Sequence, residues 1–178
     1  MSGTVIFLTG LSGSGKSTIA NALAADLRAE GQPVEIIDGD VLRARETADL
    51  GFDRASREAN VRRAAELAAG LAVDGSTVIS ALIAPFDEPR RGARDLVTDA
   101  GARFLLVYLS TPLEVAEARD PKGLYRRARA GEIPDFTGID SPYEVPEDAE
   151  LVIDTASMGV PESVAAIRAL LRNVEAAD

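Results

Sequence analysis

The stretch GLSGSGKST, residues 10–18, constrains this chain more than any other feature of its sequence. It matches the pattern G-x-x-x-x-G-K-[ST], with Lys16 and Ser17 at its last two positions. An apolar, β-branched run (4–10) precedes it, and a segment of helical periodicity (16–30) follows. In such a strand–loop–helix unit, backbone N–H groups and the helix N-terminus can surround a phosphate. The stretch therefore predicts a nucleoside triphosphate site.

The side chains of this loop have separate predicted roles. Lys16 supplies a compact positive charge to the β and γ phosphates, and Ser17 offers its hydroxyl to Mg²⁺. Two other interpretations are a glycine-rich turn without a ligand and a dinucleotide loop, which would need a glycine where Thr18 stands. The residues predicted to bind ATP are Gly10, Ser12, Gly13, Ser14, Gly15, Lys16, Ser17 and Thr18.

Strand and helix patterns alternate along the chain. Predicted strands cover 4–10, 33–40, 76–85, 103–111 and 149–155, and predicted helices cover 16–30, 54–73, 88–100 and a last segment from Pro161. This alternation predicts one domain of the α/β class over residues 1–178. We expect a three-layer P-loop nucleoside-triphosphate hydrolase-type fold, with a five-stranded parallel sheet and helices on both faces.

Composition narrows the range of functions. The formal net charge of −10 argues against broad nucleic-acid binding, which needs a basic surface. No run approaches membrane-spanning length and no secretory signal is evident, so we expect a cytoplasmic protein without membrane contact. The chain has no cysteine and no histidine, so a proton acceptor in any reaction is expected to be a carboxylate.

Two carboxylates, Asp38 and Asp40, lie at the end of the second predicted strand. Ligands gather at the carboxyl ends of parallel strands, so both should face the phosphate loop. One is suited to hold Mg²⁺, directly or through water, and the other to orient or deprotonate an attacking hydroxyl. The alternative is that Asp40 only caps the following helix.

The apolar stripe of the predicted helix 54–73 continues backwards to two polar residues, Arg57 and Asn60. Polar groups on a core-facing stripe need partners, and a ligand anion and a ligand base would suit them. A salt bridge on the first helical turn would explain Arg57 alone equally well.

Residues 119–148 are predicted to form a lid and to enclose the substrate. The run Arg119, Lys122, Arg126, Arg127 and Arg129 is a concentrated positive patch suited to close over phosphates. For Arg126 and Arg127 a solvated helix face is the alternative. The following stretch, 136–148, lacks periodicity; Phe136 is the better candidate for stacking on a planar ligand, while ordinary packing would explain Tyr143.

Taken together, these segments resemble adenylylsulfate kinases, which use ATP to phosphorylate the ribose 3′-hydroxyl of adenosine 5′-phosphosulfate. The resemblance runs in order through GLSGSGKST, DGDVLR, LGFDRASREANVRR, ALIAPF, DPKGLYRRARAGEIPDFTGIDSPYE and LVIDT. It implies ATP and Mg²⁺ as cofactors and a role in sulfate assimilation. Because the family often forms homodimers, it also implies a homodimer.

The resemblance further implies roles for single residues. Asp40 would be the hydroxyl-orienting base near Mg²⁺, and Lys16 would stabilise the transferring phosphoryl group. Arg43, Arg57 and Asn60 would hold the phosphosulfate and the sugar. The whole implied acceptor site consists of Asp38, Asp40, Arg43, Phe52, Arg57, Asn60, Ile83, Lys122 and Phe136, with the two phenylalanines enclosing the adenine, and Ser17 and Asp40 are the implied metal ligands.

Three positions depart from the family pattern. Ser56 and Ala59 stand where the family usually has acids, and Ala84 replaces a serine that has sometimes been assigned a phosphoserine role. Without that hydroxyl, phosphoryl transfer must be direct and in line. The departures leave open two alternatives: a related kinase of a small metabolite or nucleoside, and a nucleotide-binding homologue without transferase activity. A GTPase switch is disfavoured because no lysine is available for the guanine-reading N-K-x-D.

Overall fold

The fold is built around one parallel sheet. The structure, a computed structural model, describes residues 3–45, 51 and 53–176. The strands are β1 (Thr4–Thr9), β2 (Val34–Asp38), β3 (Thr77–Ala81), β4 (Arg103–Leu109) and β5 (Leu151–Ile153). They lie in the order β2-β3-β1-β4-β5, and every neighbouring pair is parallel. The predicted five-stranded parallel sheet is confirmed.

Helices cover both faces of this sheet. They are α1 (Lys16–Ala29), α2 (Gly39–Arg45), α3 (Arg54–Val73), α4 (Asp87–Asp99), α5 (Leu113–Arg119), α6 (Leu124–Arg129) and α7 (Val160–Glu175). One apolar core lies between the sheet and α3 with α4, and the other lies between the sheet and α1 with α7. The predicted three-layer α/β arrangement is therefore confirmed. Among the described residues, no helix is long and apolar enough to cross a membrane.

Strand β1 shows why the sequence folds into these layers. All of its residues are buried, and successive side chains of a strand point to opposite faces. Val5 and Phe7 belong to the core under α3 and α4, while Ile6 and Leu8 belong to the core under α1 and α7. Burying such a side chain contributes about 1.5–3 kcal/mol. An apolar run without polar alternation is thus what a central strand of a three-layer fold requires.

The third predicted strand is shorter than its apolar run. The run 76–85 suggests a strand to Pro85, whereas β3 ends at Ala81. The chain then turns, because Ala84 has a φ of 44°, in the left-handed region that strands do not use. Leu82 and Ala84 are still buried, so the run remains apolar beyond the strand.

The second predicted strand also ends early, at Asp38 rather than at residue 40. Helix α2 begins at once, and Oδ1 of Asp38 accepts a hydrogen bond of 2.9 Å from the Asp40 N–H. The carboxylate that caps α2 is therefore Asp38, and the side chain of Asp40 is left to point elsewhere. Both carboxylates reach the carboxyl edge of the sheet, beside the phosphate loop.

Candidate active site

The phosphate loop connects β1 to α1 and depends on glycine backbone. Gly13 and Gly15 have φ values of 76° and 97°, which favour residues without a Cβ. A Cβ on Gly13 would also lie 2.8 Å from the carbonyl oxygen of Ala116 in α5. The positive φ values and the close approach of α5 explain why this loop needs glycine at these positions. The following helix places its N-terminus at Lys16, where its unpaired N–H groups favour an anion.

Lys16 lies buried inside the loop that precedes it. Its Nζ donates to the carbonyl oxygens of Gly10 at 2.9 Å and Leu11 at 2.7 Å. Burial lowers the pKa of Lys16 to about 8, although the nearby Asp40 and Asp38 carboxylates partly oppose this shift. The Gly10 and Leu11 partners are neutral carbonyl oxygens, so a phosphate would give the ammonium a negatively charged partner in direct contact.

Two polar pairs lie at the mouth of the loop. The Ser17 hydroxyl donates to Oδ2 of Asp38 at 2.5 Å. The Lys122 ammonium, from the segment between α5 and α6, forms an ion pair with Oδ2 of Asp40. The structure thus places Ser17 against Asp38, whereas the resemblance had implied Ser17 and Asp40 as metal ligands. Asp40 itself is exposed and lies across the same opening.

A cavity of about 330 Å³ joins these groups to the predicted acceptor residues. Its walls include α2, α3, the turn after β3, and the segment around α6. The predicted site residues that line it are Ser12, Gly13, Gly15, Lys16, Ser17, Thr18, Asp40, Arg43, Arg57, Asn60, Ile83, Lys122 and Phe136. Gly10, Ser14 and Asp38 do not line it but contact lining residues. Phe52 lies outside the described residues.

Arg57 and Asn60 project from the first turns of α3 and are buried there, with exposures of 7% and 8%. Arg57 donates to the carbonyl oxygen of Asp135 at 2.8 Å. Its burial, followed by the charge of Arg43, lowers the pKa of Arg57. Arg43 is anchored by a 2.6 Å hydrogen bond to the Gly51 carbonyl oxygen. Two guanidinium groups on one wall make this part of the cavity suited to an anion.

Phe136 forms an apolar part of the cavity wall. Its ring meets the ring of Tyr125 edge to face, with centroids 5.0 Å apart. The Tyr125 hydroxyl donates to the carbonyl oxygen of Ser12 at 2.8 Å, and burial raises the pKa of Tyr125 to about 12, so the phenol stays protonated. Tyr125 therefore bridges Phe136 and the phosphate loop. Sequence reasoning missed it, although it lies within the long family-like segment that ends in SPYE.

The basic run from Arg119 to Arg129 does not act as one patch. Lys122 lines the cavity, whereas Arg119 donates to the Thr155 carbonyl oxygen at 2.7 Å and so braces the chain after β5. Arg127 pairs with Glu132, and Arg129 pairs with Glu117. Arg126 is exposed on α6. Among the predicted cations of this run, Lys122 lines the cavity, and Arg119 also donates to the carbonyl oxygen of Gly13 in the phosphate loop at 3.3 Å.

The sequence of the chain matches a known family. The adenylylsulphate kinase family model matches residues 2–154. The adenylyl-sulfate kinase of Geotalea uraniireducens is 50% identical over 163 residues, which cover 92% of this chain and 77% of that protein. The adenylyl-sulfate kinase of Paraburkholderia xenovorans is 52% identical over 162 residues, which cover 91% of this chain and 89% of that protein.

The structure matches a solved enzyme over almost the full length of both chains. This enzyme is the Mycobacterium tuberculosis APS kinase CysC, solved in complex with AMPPNP and APS. The two structures superpose with a TM-score of 0.93 at 43% sequence identity, covering 96% of this chain and 98% of the other.

Proposed function

The chain belongs to the adenylylsulphate kinase family, and we propose that its cavity holds ATP and adenosine 5′-phosphosulfate for direct phosphoryl transfer between them. The chain is therefore an adenylylsulfate kinase, and its product is 3′-phosphoadenosine 5′-phosphosulfate. The observation that carries the proposed assignment of residues is the shared cavity, in which Lys16 and Asp40 face the same space as Arg57 and Phe136. The groups proposed to bind phosphate, to accept the proton and to bind the acceptor thus line one volume.

Asp40 is the proposed base. It is a carboxylate at the cavity mouth in a chain without histidine, and the first turn of α2 holds it beside the phosphate loop. It would orient the 3′-hydroxyl and accept its proton while the oxygen attacks the γ-phosphorus. The bond from the γ-phosphorus to the β–γ bridging oxygen breaks, and ADP leaves with that oxygen. Ala84 offers no hydroxyl for a covalent intermediate at its position, so the transfer is a single in-line step.

Lys16 and the loop N–H groups would supply the positive charge that the transferring phosphoryl group needs. The Lys16 ammonium is hydrogen-bonded to loop carbonyl oxygens, which it would exchange for phosphate oxygens when ATP binds, before the transfer step. Fixed donors of this kind stabilise developing charge without reorganisation.

The residues beside Ser17 fit a magnesium ion. Ser17, Asp38 and Asp40 provide hard hydroxyl and carboxylate oxygens, the ligand type that Mg²⁺ prefers. A Mg²⁺ ion usually takes one or two carboxylates and completes its coordination with phosphate oxygens and water. When bound, Mg²⁺ would neutralise phosphate charge. Ser17 would hold it, with Asp40 or Asp38 beside it.

The opposite wall would bind adenosine 5′-phosphosulfate. Arg43, Arg57 and Asn60 are proposed to hold its phosphosulfate and sugar, because two guanidinium groups meet there. Phe136 would stack on the adenine, together with Phe52. Ile83 and Lys122 would complete the pocket, and Lys122 would exchange Asp40 for a substrate anion when the site fills.

A panel of acceptors tests this function. We would measure Mg²⁺-dependent ADP release with adenylylsulfate, AMP, gluconate and no acceptor, and identify the 3′-phosphorylated product by mass spectrometry. Strong stimulation by adenylylsulfate, with AMP far weaker, is expected because AMP lacks the sulfate group of the phosphosulfate that Arg43 and Arg57 are proposed to hold. Stimulation by gluconate instead would support a small-metabolite kinase. ATP binding without any acceptor-dependent ADP release would support a nucleotide-binding homologue.

The family assignment also supports a proposed place for this reaction. We propose that the enzyme works in cytoplasmic sulfate assimilation as a homodimer. Cell fractionation tests the compartment, loss of growth on sulfate in a deletion strain tests the role, and light scattering tests the mass. A mass of one chain at micromolar concentration would overturn the dimer.

A further inference from the structure

Arg90 is a buried charged residue that the proposed reaction does not use. It projects from α4, has an exposure of 1%, and lies outside the motifs found in the sequence. Its guanidinium donates to the carbonyl oxygens of Ala84 and Glu144, each at 2.7 Å. It also lies 3.4 Å from a carboxylate oxygen of Asp87. Burying an arginine this deeply costs free energy, because the guanidinium loses its hydration and these contacts must replace it. The burial of this charge therefore needs a structural or functional reason.

The first of these partners belongs to the turn that forms a wall of the cavity. Ile83, Ala84 and Pro85 all line the cavity, and Ala84 adopts a φ of 44°. A non-glycine residue in that region is strained by about 1–2 kcal/mol, so neighbouring contacts must hold it there. Arg90 supplies one such contact through the Ala84 carbonyl. Thr9 supplies another, since its hydroxyl donates to the Ile83 carbonyl oxygen at 2.6 Å.

The second partner belongs to the segment after Phe136. The Glu144 N–H donates to the Pro85 carbonyl oxygen at 2.8 Å, and a Glu144 carboxylate oxygen accepts from the Asp87 N–H at 2.6 Å. Arg90 therefore spans two segments that also bond to each other directly. Together these contacts join the turn 83–87 to residues 143–144.

Tyr143 links this arrangement to the end of β1. Its hydroxyl shares a 2.8 Å hydrogen bond with Thr9, the last residue of β1, and the Arg90 guanidinium carbon lies 5.7 Å from its ring centroid. Since the Thr9 hydroxyl hydrogen points to Ile83, Tyr143 is the donor. Burial raises the pKa of Tyr143, which keeps this phenol protonated. The YE pair of the SPYE motif thus packs behind the turn and does not line the cavity.

We propose that Arg90 is a positioning residue that sets acceptor binding by holding the turn Ile83–Pro85 against the cavity. The proposal rests on the proposed function, because it assigns that turn to the adenylylsulfate side. Arg90 touches no substrate itself. It acts through the Ala84 carbonyl and through Glu144, so its loss shifts the acceptor wall while the phosphate loop keeps its own contacts.

The test compares Arg90→Lys with Arg91→Lys. Lysine keeps the charge but lacks the planar fork that reaches two carbonyls at once. Arg91 is the matched control, because it is the next residue on α4, is largely exposed, and pairs with Asp87. Tyr143→Phe is a milder second variant, which removes one hydroxyl and keeps the ring. Thermal unfolding of each variant reports whether it folds.

Two readouts separate positioning from general stability. In Arg90→Lys we expect the KM for adenylylsulfate to rise about tenfold or more, and the KM for ATP to change less than about twofold. Hydrogen exchange of peptides spanning 82–87 and 141–146 should become faster, because the Asp87 and Glu144 amides donate between these segments. Tyr143→Phe should move both readouts in the same direction, by less, and Arg91→Lys should move neither.

Two results would overturn this role for Arg90. One is a fall in melting temperature with unchanged KM for adenylylsulfate, which assigns Arg90 to stability alone. The other is unchanged exchange of both peptides in Arg90→Lys and Tyr143→Phe. Failure of the proposed function would give a different result, because the wild-type protein would then release no ADP with adenylylsulfate. The hydrogen-exchange experiment would still decide whether Arg90 holds the turn.

Discussion

The Ser17 hydroxyl lies 2.5 Å from Oδ2 of Asp38, and the other oxygen of that carboxylate accepts the N–H of Asp40. Asp38 therefore contacts the predicted metal-binding hydroxyl and caps the helix that carries Asp40. Asp40 in turn directs its carboxylate to Lys122 across the cavity mouth. The two acids of the DGD sequence thus have different surroundings, and their replacement should have different effects.

Asp38→Ala should weaken both the metal site and the start of α2. We expect the Mg²⁺ concentration for half-maximal turnover to rise, and the free energy of unfolding to fall by about 1 kcal/mol because the cap is lost. Magnesium titration of ADP release and urea unfolding measure the two effects. An unchanged magnesium requirement would remove Asp38 from the metal site, whatever its effect on stability.

Asp40→Asn should affect turnover far more than nucleotide binding. The amide cannot accept the proton of the acceptor hydroxyl, so kcat should fall by about 100-fold or more. The Kd of ATP, measured by calorimetry, should stay within about threefold because the phosphate loop is intact. A variant that turns over at the wild-type rate would show that Asp40 is not the base.

Lys16 should make ATP binding weaken at alkaline pH. Burial lowers the pKa of Lys16 to about 8 in the protein without nucleotide, so its charged fraction falls as the pH rises through that value. Bound phosphates favour the charged form, so ATP binding takes up a proton and the Kd must increase with pH. Between pH 7 and 9.5 we expect the Kd of ATP to stay constant at first and then to rise, approaching about tenfold per pH unit.

Lys16→Arg provides the control for that pH dependence. An arginine stays charged throughout the range, so this variant should bind ATP more weakly but with a flat profile. Calorimetry in buffers of different ionisation enthalpy would count the protons taken up. The same alkaline rise in the Kd of Lys16→Arg would mean that another group is responsible.

Tyr125→Phe should loosen the contact between α6 and the phosphate loop. The substitution removes the hydrogen bond to the Ser12 carbonyl oxygen but keeps the ring against Phe136. We expect a loss of about 1 kcal/mol in the free energy of unfolding and a higher KM for ATP. Urea unfolding and initial-rate kinetics measure these changes. Unchanged values of both would mean that the hydroxyl does not support the loop.

Ala84→Ser should restore a hydroxyl without creating a phosphoenzyme. Since transfer is proposed to be direct, the variant should keep kcat within about threefold, and intact-mass spectrometry after incubation with ATP should find no added phosphate. The wild-type protein is the matched control. If the Ala84→Ser protein became phosphorylated and passed that phosphate to adenylylsulfate, this fold could also support transfer in two steps. That result would contradict the prediction.

Much of the proposed acceptor wall could be predicted because its sequence signal is local. Arg57 and Asn60 lie where helical periodicity continues an apolar stripe, and both are buried on α3. Helical periodicity determines which residues of a helix face the sheet, and it does so from neighbouring residues alone. By contrast, the charge pattern of 119–129 gives no position in space, and the cations of that run take partners as different as Asp40 and Thr155.

The sequence by itself determined the parallel α/β sheet and the phosphate loop, because apolar runs, glycines and a Lys-Ser pair act on their immediate neighbours. It could not decide that Ser17 meets Asp38, or that Lys122 pairs with Asp40 from a position 82 residues away. Nor could it place Arg90 behind a strained Ala84 and beside Glu144. These contacts join segments that are distant along the chain, and their geometry exists only once both cores have packed against the sheet.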